Sequence, residues 1–137
     1  MKKIRVINGP NMNLLGRRQP EIYGSATLEG IEKRLIEKFP EVQLEFFQSN
    51  HEGEIIDLIQ GFEGDGIVLN AAAYSHTSLA IADAISSVDV PVVEVHLSNV
   101  FSREEIRRKS LMAPVCRGVV AGFGEMSYEL AVRALIV

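Results

Sequence analysis

The sequence predicts an α/β fold in which helices cover both faces of one parallel β-sheet. Short apolar segments with strand character alternate, along the 137 residues, with longer segments whose apolar side chains recur at helical spacing. Several strand segments are apolar throughout, which is typical of parallel strands that are buried on both faces. The length fits a single domain, since domains usually run to roughly 100–150 residues, and no linker or internal repeat divides the chain.

Five strands and five helices are predicted from composition, periodicity and turn residues. The strands cover residues 4–7, 42–47, 66–69, 91–97 and 115–121. Thr27 is placed to cap the first helix, which Pro40 ends, and Ser102 and Glu105 have capping-box spacing at the start of the fourth helix. The other helices cover residues 54–62, about 77–86 and 126–136.

This order of elements predicts a flavodoxin-like fold with the strand order 2-1-3-4-5. Ligands of such folds bind beyond the carboxyl ends of the strands, where the strand order reverses. The site is therefore expected in the segments that follow the first, third and fourth strands: residues 8–23, 70–76 and 96–107. Residues 11–25, which overlap the first of these segments, show no clean period and predict a structureless loop, of the kind that often forms a lid.

Composition excludes several classes of function. Asp and Glu number 18 against 14 Lys and Arg, and this net charge of −4 argues against a general nucleic-acid binder. No apolar stretch approaches the roughly 20 residues of a membrane span, and residues 8–10 end the first apolar stretch too early for a signal peptide. The single cysteine, Cys116, lies in an apolar run and predicts a core residue rather than a reactive thiol. We therefore expect a cytoplasmic protein.

Arginines, histidines and amides converge on the predicted sheet edge and indicate an anionic, hydroxyl-rich small molecule as the ligand. Tyr23 could act as a base there only beside a cation, and the spacing leaves both Arg17 and Arg18 open for that role. Glu94 and His96 are two residues apart on a strand, so both side chains point to one face and the carboxylate can orient the imidazole.

Each of these groups also has a purely structural explanation. An arginine pair in a polar loop is often only solvated surface, and Tyr23 could simply pack the loop onto the body of the protein. His76 taken alone is better explained as a helix-cap or core group, and His96 as a hydrogen-bonded core histidine. The ligand-binding interpretation gains weight because all of them fall on one sheet edge. The sequence has no P-loop, no Cys/His spacing for a metal and no G-x-S-x-G motif.

Four blocks resemble those of the type II 3-dehydroquinate dehydratases: NGPNMNLLGRRQPEIYG at 8–24, QSNHEG at 48–53, NAAAYSHTS at 70–78 and EVHLSNV at 94–100. The resemblance runs from end to end of the chain. It implies a cofactor-free, metal-free enzyme of flavodoxin-like fold that reversibly dehydrates 3-dehydroquinate to 3-dehydroshikimate through an enolate, in the shikimate pathway. It also implies a homododecamer built as a tetramer of trimers.

By position, the resemblance assigns the catalytic roles. Tyr23 would take the proton from C2 of the substrate, and Arg18 would favour the phenolate form of the tyrosine and stabilise developing negative charge. Asn11 would hold a water near the enolate oxygen. His96, oriented by Glu94, would protonate the departing hydroxyl.

The remaining carried-over roles concern the substrate, a lid over about residues 9–24 and the neighbouring subunit. Arg103 would support the lid, and Asp83 would reach the site of a neighbouring subunit. The substrate's carboxylate and hydroxyls would be bound by Asn70, His76, Leu97, Ser98 and Arg107.

The chain departs from the family pattern outside the catalytic positions. Ala72 stands where the family usually has Gly, and Phe101 where it usually has His; residues 111–113 and 125–127 also differ. Two other classes that share the fold fit less well. A receiver domain needs acidic residues where this chain has Asn8 and Asn70, and a flavodoxin needs a Ser/Thr-rich loop where residues 8–24 contain neither. A non-catalytic relative of the same fold is the third alternative.

Overall fold

The sheet has the topology that the sequence predicts. A computed structural model describes residues 1–23 and 26–137 of the chain. All strand pairs are parallel and the order is β2-β1-β3-β4-β5, which confirms the predicted fold class and strand order. The strands are β1 (Lys2–Asn8), β2 (Val42–Gln48), β3 (Gly66–Asn70), β4 (Val92–His96) and β5 (Gly118–Ala121).

Helices lie on both faces of the sheet. Along the described residues they are α1 (Pro20–Tyr23), α2 (Leu28–Lys38), α3 (Glu52–Gln60), α4 (Leu79–Ser86), α5 (Glu105–Arg108) and α6 (Met126–Ile136). Ile4 and Val6 of β1 pack into one core with α2 and α6, whereas Ile7 packs into a second core with α3 and α4. This alternation is the two-residue period of a strand, and it explains why β3 and β4 are buried along their whole length.

The switch point lies at the end of β1, which pairs with β2 on one side and with β3 on the other. Asn8 is in register with both Gln48 and Asn70, and the amide of Gly9 donates to the carbonyl of Asn70 at 2.7 Å. A Cβ atom on Gly9 would lie 2.6 Å from the carbonyl oxygen of Ala71. Only glycine fits this close approach, which brings the segment that follows β1 against the segment that follows β3.

Most helix predictions are confirmed, although some boundaries differ. The hydroxyl of Thr27 accepts a hydrogen bond from the amide of Gly30 at 3.1 Å, as expected for the cap of α2. The prediction of a capping box at Ser102 is wrong. Ser102 ends a 3-10 helix, and its hydroxyl donates to the carbonyl of Asn99. The Asn99 side chain, which accepts from the amide of Phe101, is the cap at this position. The fifth strand begins at Gly118 rather than at residue 115, because residues 113–115 form a 3-10 helix around a proline.

The segment after β1 is more ordered than predicted. Instead of a structureless loop, it contains a 3-10 helix at Met12–Leu14 and the short helix α1. Met12 and Leu15 are buried in the core that contains α2 and α6, so the segment is anchored by its own apolar side chains. Positive φ angles at Asn11, Gly16 and Gln19 supply its reversals of direction. Gly24 and Ser25, at the end of the predicted loop, lie outside the described residues.

Cys116 is half-buried against the core that contains α3 and α4, in agreement with the expected packing role. Burial raises the pKa of its thiol to about 12, and the nearby carboxylate of Glu94 adds to this effect. The thiol is therefore protonated at neutral pH and is a poor nucleophile. Among the helices of the described residues, none has the length and apolar character needed to cross a bilayer.

Candidate active site

A cleft of about 600 Å³, counting the open space at its mouth, lies at the carboxyl edge of the sheet beside the switch point. The segments that follow β1, β3 and β4 line it, as predicted from the sequence. It brings together most of the predicted site residues: Asn11, Arg18, Tyr23, Asn70, His76, His96, Leu97, Ser98, Arg103 and Arg107. Glu94 lies behind His96, and Asp83 is an exposed residue of α4 that does not line this cleft.

Two arginines hold the hydroxyl of Tyr23. Arg103 donates to it from Nη1 at 2.9 Å, and Arg18 donates from Nη2 at 3.4 Å. Both guanidinium groups also lie over the tyrosine ring, with the Cζ atoms of Arg18 and Arg103 at 4.8 and 5.2 Å from its centroid. Of the two arginines that the sequence left open, Arg18 faces the tyrosine and Arg17 is exposed. The direct contact of Arg103 with the hydroxyl was not predicted.

His96 is buried at the end of β4, next to a buried carboxylate. Its Nε2–H donates to Oε2 of Glu94 at 2.5 Å, and both side chains are almost fully enclosed. The strand places them on one face two residues apart, as expected from the sequence. With Nε2 engaged, Nδ1 is the nitrogen of His96 that a ligand in the cleft can reach. The pair can therefore present a proton to the cleft from a fixed direction.

His76 lies parallel to His96 across the cleft. The ring centroids are 6.1 Å apart and the planes differ by 19°. The Nδ1–H of His76 donates to the carbonyl of Lys109 at 2.8 Å, which leaves Nε2 available to a ligand. This bond places His76 in the cleft rather than in the core, where the structural alternative would have put it.

A buried hydrogen-bond chain fixes Asn70 at the bottom of the cleft. Its side-chain nitrogen donates to the hydroxyl of Tyr128 at 2.9 Å, and the tyrosine in turn donates to the side-chain oxygen of Asn8. The side-chain oxygen of Asn70 accepts from the amide of Ala72 at 3.1 Å. The second N–H of Asn70 meets only the sulfur of Met12 at 3.7 Å, a weak acceptor, and is free to donate to a ligand oxygen.

Tyr128 was not predicted as a functional residue because it lies in α6, far from the three loops in sequence. Burial raises the pKa of its phenol well above the ordinary value, and the hydrogen bond from Asn70 opposes this only in part. The hydroxyl is therefore a neutral link in the chain. No local sequence signal identifies it, since a tyrosine on the inner face of an amphipathic helix usually indicates packing alone.

Ala72 occupies a backbone position that favours glycine. Its φ angle is +52°, in the left-handed region where a Cβ atom is unfavourable. This is the position at which the sequence departs from the glycine of the family that it resembles. The fold tolerates the alanine at the cost of some strain, and the residue lines the cleft.

Comparison with known proteins agrees with this geometry. The family model described as dehydroquinase class II matches residues 2–136 of the chain. A 3-dehydroquinate dehydratase from an Exiguobacterium strain is 55% identical over 136 residues, covering 98% of this chain and 94% of that protein. One from Chlorobaculum tepidum is 56% identical over 135 residues, covering 96% and 91%.

Solved structures point the same way. The crystal structure of the type II dehydroquinase from Butyrivibrio crossotus superposes with a TM-score of 0.97 at 45% sequence identity, covering 99% of this chain and 98% of that one. Fold, cleft residues and sequence similarity over nearly the whole length therefore agree, and the chain belongs to the class II dehydroquinase family.

Proposed function

We propose that this protein catalyses the reversible dehydration of 3-dehydroquinate to 3-dehydroshikimate through an enolate, as a hydro-lyase of the shikimate pathway. One observation carries the proposal. A phenol held by two guanidinium groups and a carboxylate-bound histidine line the same cleft. A base and an acid in one cleft are what the removal of water across a carbon–carbon bond requires. The names of the similar proteins support the choice of substrate.

The first step is removal of a proton from C2 of the substrate by Tyr23. Arg103 and Arg18 stabilise the phenolate that performs it, because each donates a charge-assisted hydrogen bond to the oxygen. The electron pair of the broken C–H bond moves toward the neighbouring C3 carbonyl, which becomes an enolate. Asn11, exposed at the cleft mouth on a left-handed turn, holds a water that donates to the enolate oxygen.

The second step is loss of the C1 hydroxyl. The enolate reforms the carbonyl, the C1=C2 double bond forms, and the C1–O bond breaks with its electron pair leaving on oxygen. His96 gives the proton from Nδ1, so the oxygen departs as water, while Nε2 keeps its bond to Glu94. The buried carboxylate stabilises the imidazolium before this transfer and holds the ring in place.

Substrate orientation falls to polar groups on the other walls of the cleft. Asn70 offers its free N–H and His76 its free Nε2. Arg107 lines the cleft while its Nε atom lies 3.0 Å from Glu104, and Leu97 and Ser98 follow β4 along the opposite wall. Together these groups bind the carboxylate and the hydroxyls of the substrate. Residues 9–24, which carry Arg18 and Tyr23, act as the lid, with Arg103 as its support across the cleft.

The working form is a homo-oligomer, a dodecamer arranged as a tetramer of trimers in the cytoplasm. Asp83 lies on the exposed surface of α4 outside its own cleft, where it can serve a neighbour. Four exposed apolar side chains line one groove beside β5, as expected of a surface that another copy covers: Phe101, Val119, Phe123 and Leu130. Light scattering of the purified protein tests this assembly, and a fully active monomer at assay concentration contradicts it.

The activity itself is tested by adding 3-dehydroquinate and following the ultraviolet absorbance of the conjugated enone. We expect absorbance to rise with the wild-type protein, and to rise far more slowly with Tyr23→Phe. A folded wild-type oligomer that produces no enone contradicts the proposal.

A further inference from the structure

One short segment behind the cleft makes hydrogen bonds to His76 and to Glu94, the partner of His96. Residues 109–111 connect α5 to the 3-10 helix at Ala113–Val115. The carbonyl of Lys109 accepts from His76, and the amide of Leu111 donates to the carbonyl of Ser75 at 2.8 Å. Between these two, the hydroxyl of Ser110 donates to Glu94, 2.8 Å from each carboxylate oxygen. The segment does not line the cleft, so any role in the chemistry is indirect.

The direction of the Ser110 proton is fixed by the backbone around it. The amides of Met112 and Ala113 donate to its oxygen at 3.1 and 3.0 Å. A serine hydroxyl has two acceptor positions and one proton. With both acceptor positions occupied, the proton can only point to Glu94. Ser110 is therefore a donor to the carboxylate that cannot turn into an acceptor.

The carboxylate of Glu94 needs such donors because it is 1% exposed. It receives one hydrogen bond from Ser110 and one from Nε2 of His96. A buried carboxylate that accepts hydrogen bonds from two sides is held in a fixed orientation. Its orientation determines which nitrogen of His96 carries the fixed proton.

We infer that Ser110 is a positioning residue that acts through Glu94: it holds the carboxylate so that His96 keeps Nε2 protonated and directs Nδ1 at the leaving hydroxyl. The inference rests on the proposed function for the identity of the leaving group. The rest follows from the hydrogen bonds alone. Nothing in the sequence indicates this role, since Ser110 lies 16 residues from Glu94 and outside the three cleft segments.

Other charged and titratable groups surround the pair and stay constant in the test. Arg108 lines the same pocket as Glu94, beside β5. Burial, with the nearby charge of Glu94, raises the pKa of the Cys116 thiol to about 12 and keeps it neutral. On the cleft side, His96 faces the ring of His76, the guanidinium of Arg107, and Tyr23 with its two arginines. None of these contacts involves the Ser110 hydroxyl.

The test compares the pH dependence of kcat for the wild-type oligomer and for Ser110→Ala. Without the hydrogen bond from the serine, the carboxylate of Glu94 can rotate and holds the Nε2–H of His96 less firmly. The alkaline limb of kcat should therefore move to lower pH, and kcat at the optimum should fall about 10-fold, the loss of one charge-assisted hydrogen bond. KM should change little. Ser110→Thr, which keeps the hydroxyl, should restore the wild-type profile.

Ser127→Ala is the matched control for structural damage. Ser127 is also buried, and its hydroxyl accepts a hydrogen bond from the backbone amide of Phe123 at 3.0 Å rather than bonding to Glu94 or a histidine. It should lower the melting temperature and leave the alkaline limb in place. If the alkaline limbs of the kcat–pH profiles of Ser110→Ala and Ser127→Ala coincide, Ser110 only supports the backbone and the inference is wrong. Should Ser110→Ala fail to fold, Ser110→Cys keeps the side-chain size with a weak donor and must show the same shift.

A second measurement does not depend on activity. In ¹⁵N spectra of histidine-labelled protein, neutral His96 should be the Nε2–H tautomer in the wild type and a mixture of tautomers in Ser110→Ala. A single unchanged tautomer in the variant contradicts the inference. If the wild type lacks dehydratase activity, the proposed function fails, while the tautomer measurement still decides the role of Ser110.

Discussion

Replacing Tyr23 with phenylalanine removes the proposed base and leaves the rest of the cleft mouth in place. The hydroxyl carries the hydrogen bonds from Arg103 and Arg18, whereas the ring lies under both guanidinium groups at 4.8 and 5.2 Å and keeps those contacts in the variant. We therefore expect KM to change little. The loss of a general base lowers kcat by about 10²–10⁴, or about 2.7–5.4 kcal/mol in the activation free energy.

The assay follows enone absorbance under saturating 3-dehydroquinate, with Tyr74→Phe as the matched control. Tyr74 also loses a hydrogen-bonded hydroxyl in that variant, the one that donates to the carbonyl of Asn50 at 2.9 Å, but it does not line the cleft. Its kcat should stay within about threefold of the wild type. A Tyr23→Phe protein with wild-type turnover refutes the assignment of the base.

Exchange of the C2 proton with deuterium separates the base from the acid. Tyr23→Phe should lose both exchange and dehydration, because no enolate forms. His96→Ala should keep exchange better than dehydration, because its proton is needed only after the enolate exists. Equal loss of exchange in the two variants refutes this order of events.

The remaining predictions concern the arginines, the strained alanine and the class of mechanism. Removing either guanidinium, in Arg103→Ala or Arg18→Ala, should lower kcat at least 10-fold, since each donates a charge-assisted hydrogen bond to the phenol. Kinetics of the single and double variants measure this effect. An Arg103→Ala protein with wild-type kcat contradicts it. Arg107→Ala should raise KM as well as lower kcat, because its contact with substrate exists in the ground state; an unchanged KM would place Arg107 outside the binding site. Ala72→Gly should raise the free energy of unfolding by about 1 kcal/mol, because it relieves the left-handed strain at φ +52°. Denaturant titration measures this change. A loss of stability would mean that the backbone is not strained there. Borohydride should not inactivate the enzyme in the presence of substrate, since no lysine lines the cleft among the described residues; a stable lysine adduct found by mass spectrometry would instead establish an imine mechanism.

The sheet and the location of the cleft could be predicted because they depend on patterns that are local in sequence. Apolar runs identify β3 and β4, and the carboxyl-edge rule then selects three loops that all line the observed cleft. The choice between Arg17 and Arg18 could not be made from spacing. It depends on the turn at Gly16 and Gln19 and on α1, which together direct one arginine to Tyr23 and the other to solvent.

The start of one helix was predicted wrongly because the side chain expected to cap it makes a different hydrogen bond. Ser102 has the spacing of a capping box, yet Asn99 caps the turn before it and the helix α5 begins without a side-chain cap. Tyr128 and Ser110 were missed for a different reason. Their partners lie 58 and 16 residues away, so only the folded chain shows that they support the cleft.

The chain of hydrogen bonds from Asn8 through Tyr128 to Asn70 has a consequence for synthesis on the ribosome. Those of the described residues that line the cleft lie between Pro10 and Arg107, so they leave the ribosome before α6 does. The tyrosine that fixes Asn70 is 120 residues from its partner in β1. A nascent chain therefore carries every cleft side chain without the link that orients one of them. Asn70 therefore reaches its fixed orientation only after α6 has docked on the sheet.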